Sequence, residues 1–547
     1  MKNIFKYTLV SAIITGMVAC DVDNTLPEIK APTVEVQAGS ADFSKYVAIG
    51  ASFTAGFADN ALFKASQEFS FPNTLSKKFA MAGGGTFTQP LMNDNFGGLI
   101  LNGAPVVSPV TGQRLFTERL VFNGTAPAPL NTLNPAAMST TDFALNNPTG
   151  PFNNFGVPGA RSTHLVAPGF GNLANFPLAN PYAIRMAGGS NSSIIDLAVD
   201  QNPTFFTLSE FGGNDVLGYA ITGGDGSSPI TTTADFDLAL NVVVTKLKAT
   251  NAKGVVANLP YITSLAHFTT VPYAPLDPSN PALAAQIPTL NTVYGALNQI
   301  FTALGETNRI IQFSTTAANP VVIHDENLTP LSGTITAALG ANPAFVPFVQ
   351  SLGLPASAAP LVAQLMGNQY GQARPATADD LLVLPSSSVI ATVNNDAAAA
   401  LIAASGGLLP PALAGQFSAE GLTLPLADKW VLTPQEQAEI KTATDAYNTS
   451  LKAKADENGY AFVDFNAVLQ EAATTGLTFD NYQLNTSLVT GGLISLDGIH
   501  LTARGYAIMA NKMLEAIDTT YGSNFTQATD GLAKAANFPT NYSPALQ

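Results

Sequence analysis

Tyr46-Val-Ala-Ile-Gly-Ala-Ser-Phe-Thr-Ala-Gly56 constrains this chain more than any other stretch. A short apolar run, Tyr46 to Ile49, stops abruptly at Gly-Ala-Ser, and small residues carry the chain to Gly56. The pattern predicts a buried strand, then a tight turn that lifts the Ser52 hydroxyl above the edge of a sheet. Open α/β sheets bind ligands at the carboxyl ends of their strands. Ser52 is therefore a candidate nucleophile, and the other functional residues should gather around it.

Later segments supply the rest of such a sheet. Pro203 to Leu208 reads as a strand, Asp235 to Thr250 as a helix and Gly254 to Leu259 as a strand. This order predicts parallel strands joined by crossover helices. Pro72 to Phe79 is helical in pattern. Thr433-Pro-Gln-Glu436 is a capping box with proline at the first helical position, and the helix it opens should run to Asn458, before Gly459. Ala461 to Phe465 is the next strand, and a last helix begins near Thr502 or Ala503 and runs to about Thr519. A tail of some two dozen residues is expected to cover the core.

Two stretches break the rhythm. Residues 90–150 are rich in Asn, Pro, Gly and Thr with few apolar repeats. Residues 273–430 carry a predicted helix near Ala282 to Leu304, a predicted strand near Ile310 to Phe313, and much Ala/Pro-rich sequence. Both are read as insertions, at about 88–150 and 273–430, in a single domain spanning 45–547. Long loops of this kind usually serve function or wall a site. An independent domain over the second stretch is the alternative.

Charge narrows the partners. The 547 residues include 23 Lys+Arg and 38 Asp+Glu, a net charge of −15. Such a chain repels phosphate backbones, so no nucleic-acid partner is expected. At the N-terminus, Lys2 and Lys6 precede a short apolar core, Tyr7 to Ile14, and then Met17-Val-Ala-Cys20. This predicts a secretory signal over 1–19. Cys20 is the only cysteine, so an internal disulfide is ruled out. Residues 20–44, with Pro27, Pro32 and several acidic groups, read as a tether. Ala397 to Ala414 is apolar but broken by Gly406-Gly407 and Pro410-Pro411, against a membrane span.

Four blocks carry candidate chemistry. Ser52 needs a neighbouring base to become a nucleophile. In Asp497-Gly-Ile-His500 the spacing lets a carboxylate fold back on the imidazole and fix its tautomer, leaving the other ring nitrogen for a serine. Asn214, in Gly212-Gly-Asn-Asp215, is an amide able to donate to an oxyanion. Gly159, in Gly156-Val-Pro-Gly159, lets a backbone N–H approach a substrate closely. Singly, Ser52, Asn214 and Gly159 read as ordinary turn residues, and His500 as a surface histidine beside a carboxylate. No second His or Cys lies at metal-ligand spacing to His500, so no metal or other cofactor is expected.

Taken in order, Gly50-Ala-Ser52, the glycine block, the GxND block and the DxxH block resemble the SGNH/GDSL family of serine hydrolases. Met17-Val-Ala-Cys20 resembles the lipobox of bacterial lipoproteins, with an ordinary secretory signal as the alternative. The resemblance implies a flavodoxin-like three-layer α/β sandwich with a central parallel sheet. It implies Ser52 as nucleophile, His500 as base and Asp497 as its orienter. The oxyanion hole would be the Ser52 and Gly159 backbone N–H groups and the Asn214 side chain. The blocks covering 45–60, 153–165, 203–260 and 431–520 fit the family, whereas the two insertions have no counterpart in its small members. The aspartate usual between Gly and Ser is Ala51 here. The expected protein is an esterase or lipase of the bacterial cell envelope, anchored through lipidated Cys20, with the outer membrane as the expected location and the leaflet left open. Its expected substrate is an acyl lipid or an acetylated glycan. Alternatives are a carbohydrate O-acetylesterase or an acyltransferase on the same site, or a surface-binding lipoprotein that keeps the fold without the chemistry.

Overall fold

A computed structural model describes residues 33–546. The readings made for the leader and for Cys20 lie outside these residues. In chain order the core elements are β1 (Tyr46–Gly50), α1 (Ser52–Ala55), α2 (Phe71–Ala80), β2 (Asn154–Gly156), α3 (Ser162–Val166), α4 (Ile194–Val199), β3 (Phe205–Leu208), α5 (Gly213–Ile221), α6 (Thr233–Ala249), β4 (Lys253–Ala257), α7 (Pro434–Asn458), β5 (Ala461–Val463) and α8 (Ala503–Tyr521). The five strands form one sheet in the order β2-β1-β3-β4-β5, every pair parallel. This is the doubly wound, flavodoxin-like order, whose direction reverses between β1 and β3.

Both faces of the sheet are buried, which is why the strands read as near-continuous apolar runs. Side chains alternate between the faces. Tyr46, Ala48, Phe205, Val255 and Val463 enter one core, where α2 and α8 contribute Phe71, Phe79, Met513 and Ile517. Val47, Ile49, Phe206, Leu208 and Val256 enter the other, against α4, α6 and α7 through Ile195, Leu240 and Tyr447. The result is a three-layer α/β sandwich. The capping box closes as the sequence predicts: Glu436 Oε2 accepts from the Thr433 backbone N–H at 2.6 Å, and Gly459 ends α7 in the left-handed conformation.

The second insertion has a hydrophobic core of its own, built around Tyr294, Leu297, Phe301 and Tyr370. Its predicted helix is present over Pro281–Leu304, but the strand expected near Ile310 to Phe313 is absent. The segment satisfies its backbone on side chains of that helix instead. Asn298 exchanges two hydrogen bonds with Ile311, and Asn291 two with Phe313. Paired amides replace a neighbouring strand, a substitution that hydrophobic patterning does not encode.

Two boundaries are corrected. The tether expected over 20–44 is shorter than that, because Val36, Ala41 and Phe43 are buried and the Phe43 ring stacks on Phe79 at 4.1 Å. The strand expected to reach Phe465 ends at Val463, where Asp464 caps a helix, Phe465–Thr474, by accepting from the Ala467 N–H at 3.0 Å. The C-terminal tail covers the core, with Tyr542 edge-on to Phe63. No single helix among the described residues is long and apolar enough to cross a membrane.

Candidate active site

Ser52 follows β1 at its carboxyl end, beside the point where the strand order reverses. Gly50 is glycine for lack of room: a Cβ there would lie 2.6 Å from both the Ser209 carbonyl and Glu210 Oε1. The chain turns at Ala51, and Ser52 becomes the first residue of α1, nearly buried.

His500 and Asp497 arrive from the loop that precedes α8. His500 Nε2 lies 2.9 Å from Ser52 Oγ, and His500 Nδ1 lies 2.8 Å from Asp497 Oδ2. Sequence positions 448 apart thus meet in one hydrogen-bonded series. Asp497 Oδ1 accepts from the Ile499 and His500 backbone N–H groups, at 2.8 Å each, and from the Ser495 hydroxyl at 3.0 Å. Oδ2 also accepts from the Asn60 N–H at 2.9 Å. Burial alone would raise the Asp497 pKa. The imidazole and these hydrogen bonds outweigh it and hold the carboxyl well below the usual carboxylate range. An ionised, acceptor-only Asp497 places the proton on His500 Nδ1 and leaves Nε2 as acceptor toward Ser52. Phe57 and Phe53 pack on the imidazole at 4.6 and 5.5 Å.

Gly159 and Asn214 lie beyond the carboxyl ends of β2 and β3, the two neighbours of β1. They are held together: Asn214 Nδ2 donates to the Ala160 carbonyl at 2.9 Å, which leaves its second N–H. Asp215 bonds the Ser162 N–H at 2.8 Å and the Ser162 hydroxyl at 2.6 Å, pinning the start of α3 to α5. Gly159 has φ +77°, a conformation that favours glycine. Among the described residues the Ser52 and Gly159 backbone N–H groups have no hydrogen-bond acceptor. Ser52 and Asn214 line one cavity.

Three contributors were not legible in the sequence. Glu210 is the first. Its Oε1 accepts from the Ala51 N–H at 2.6 Å and the Thr54 N–H at 2.8 Å, at the start of α1 where Ala51 has no side chain with which to cap. Glu210 Oε2 is closed to solvent without a hydrogen-bond partner. Burial raises its pKa against these bonds. A carboxylate from beyond the end of β3 thus holds this turn, and an aspartate at 51 would crowd a second charge beside it. Asp59 and Asn60 are the others. Both have positive φ, tolerated best by Asn and Asp among residues with a side chain. Asp59 Oδ1 accepts from the Leu496 N–H at 3.0 Å, so these two residues tie the serine loop to the histidine loop. Burial pushes the Asp59 carboxyl up to about 7. The only sequence signal for this pair is an Asp-Asn dipeptide a few residues after the serine.

The Glu210 contact makes a prediction. Glu210→Ala leaves the Ala51 and Thr54 N–H groups unpaired at the Ser52 turn, at about 1–3 kcal/mol of stability each. Thermal unfolding should show that loss, and Glu210→Gln, which keeps an acceptor oxygen, should recover most of it.

Compared with known proteins, no family model, no curated protein and no solved structure matches this chain.

Proposed function

We propose that this chain is a serine ester hydrolase of the SGNH type. The observation that carries the reading is the hydrogen-bonded series Asp497–His500–Ser52 at the carboxyl end of β1. Four sequence blocks, far apart in the chain, supply this series and the donors beside it.

The proposed reaction has two halves. Ser52 Oγ attacks the ester carbonyl carbon while His500 Nε2 takes the hydroxyl proton. The carbonyl oxygen gains the electron pair and is stabilised by the Ser52 and Gly159 N–H groups and the free Asn214 N–H. The pair returns, the C–O bond to the alcohol breaks, and His500 gives its proton to the leaving oxygen. Water then repeats the sequence on the acyl-enzyme, releasing the acid and restoring Ser52. Asp497 stays ionised throughout and stabilises the imidazolium between the two transfers.

The sequence of residues 17–20 supports placing this activity at a bacterial cell envelope, anchored through lipidated Cys20. The test of the reaction is product analysis on the intact chain. Hydrolysis of p-nitrophenyl butyrate should yield butyric acid and p-nitrophenol in equal amounts, also when a competing alcohol is present. No release above the buffer rate, from this ester or from p-nitrophenyl decanoate, would refute an ester hydrolase, and conversion chiefly to the alcohol's ester would make the enzyme a transferase.

A further inference from the structure

Two spaces meet at Ser52 and His500, and they differ in kind. The first is an apolar slot that starts at Ser52 and Asn214 and crosses the carboxyl ends of β3, β4 and β5. Beyond its mouth the walls are aliphatic, including Val216, Leu259, Ile262, Val468, Leu469 and Ile508. Asn258, the polar residue deeper in, is already satisfied: its Nδ2 donates to Asp464 at 2.7 Å and its Oδ1 accepts from the Asn466 N–H at 3.0 Å. The second space is a wide cleft of about 1150 Å³ on the side of His500 and Asp497. Both insertions line it, through residues such as Leu120, Pro275 and Leu384.

Chemistry decides which half of an ester belongs in each. The leaving oxygen must face His500 Nε2, its proton donor, and so points to the cleft. The acyl group then extends the other way, past Asn214 into the slot. We infer that the slot holds a straight, apolar acyl chain of medium length, so that the substrates are esters of medium- or long-chain fatty acids and not acetyl esters. This rests on the hydrolase reading above and adds the identity of the acyl group. The slot runs from Ser52, after β1, past the ends of β3 and β4 to β5, three interstrand steps of about 4.8 Å and a reach of about 14 Å. An acetyl group would leave most of this apolar wall uncovered. Ser209 and Glu210 line the slot beside Ser52; past them the apolar walls match a chain without charge, and an ionised or hydroxyl-rich acid would meet no partner there for its polar groups.

Two measurements test this, one independent of turnover. With p-nitrophenyl esters of two to sixteen carbons, kcat/KM should rise by about fourfold per methylene, the value of burying one CH₂, and level off once the chain outgrows a reach of about 14 Å. Val468→Trp, which fills the slot, should lower the decanoate-to-acetate ratio of kcat/KM at least about tenfold. The full-length Ser52→Ala variant should bind decanoate in calorimetry or by displacement of a fluorescent fatty acid, and lose that binding when Val468→Trp is added. Binding without turnover in the parent would sustain the slot and refute the hydrolase. Turnover that is highest for acetate, with no decanoate binding, would overturn the slot and leave the hydrolase intact. Neither turnover nor binding would overturn both.

Discussion

Ser52→Ala is expected to lower kcat for ester hydrolysis by about 10⁴- to 10⁶-fold, with thermal unfolding close to the parent's. The size of the effect follows from the geometry. The Ser52 hydroxyl is the group that His500 Nε2 faces, at 2.9 Å, so no other nucleophile is poised to replace it. The small effect on stability follows from the same contact. Among the described residues the hydroxyl's one side-chain partner is an imidazole that keeps its bond to Asp497 when the serine is gone. Its turn is held by Glu210 through backbone groups that alanine retains. Steady-state kinetics beside a melting curve measures both. A variant that retains a tenth of the parent's activity would remove Ser52 from the reaction.

Asp497→Asn should cost about 10⁴-fold in kcat for a different reason. Three donors converge on Oδ1, from Ser495, Ile499 and His500. An asparagine must keep its carbonyl oxygen there, which places its NH₂ group where Oδ2 stood. That group then faces His500 Nδ1 as a donor. The imidazole answers with its other tautomer, Nε2 carries a hydrogen toward Ser52, and the base can no longer accept a proton. The Asn60 N–H loses its acceptor, at about 1–3 kcal/mol of stability. The pH dependence has a defined sign. Because the folded Asp497 carboxyl titrates below its unfolded value of 3.8, its stabilisation is present above that value and is lost as pH falls through the folded one. Asp497→Asn carries no such acid-sensitive contribution. Denaturant unfolding at several acidic pH values, together with the rate at neutral pH, checks both effects.

Much of the frame was legible because it repeats local rules. β1 ends where Gly50-Ala51-Ser52 says it should, and the capping box at Thr433 opens α7. The parallel order follows from strands and crossover helices that alternate along the chain. What escaped the sequence are contacts whose partners lie far apart. Glu210 precedes Gly212 and Gly213, and its carboxylate holds the serine turn across 159 residues. Asp59 accepts from the Leu496 N–H, 437 residues away. The segment at Ile310 to Phe313 has the composition of a strand, but Asn291 and Asn298 occupy its backbone. Periodicity reports which face of an element is buried. It does not report which side chain will bond a distant amide.

The central claim is that Ser52 is an activated nucleophile, and covalent modification with a fluorophosphonate probe tests it most directly. Full-length protein incubated with the probe at neutral pH, digested and mapped by mass spectrometry, should carry one adduct, on the peptide containing Ser52, and His500→Ala should react far more slowly. Protein that stays unmodified, or that carries the adduct elsewhere while Ser52 remains free, would contradict the account.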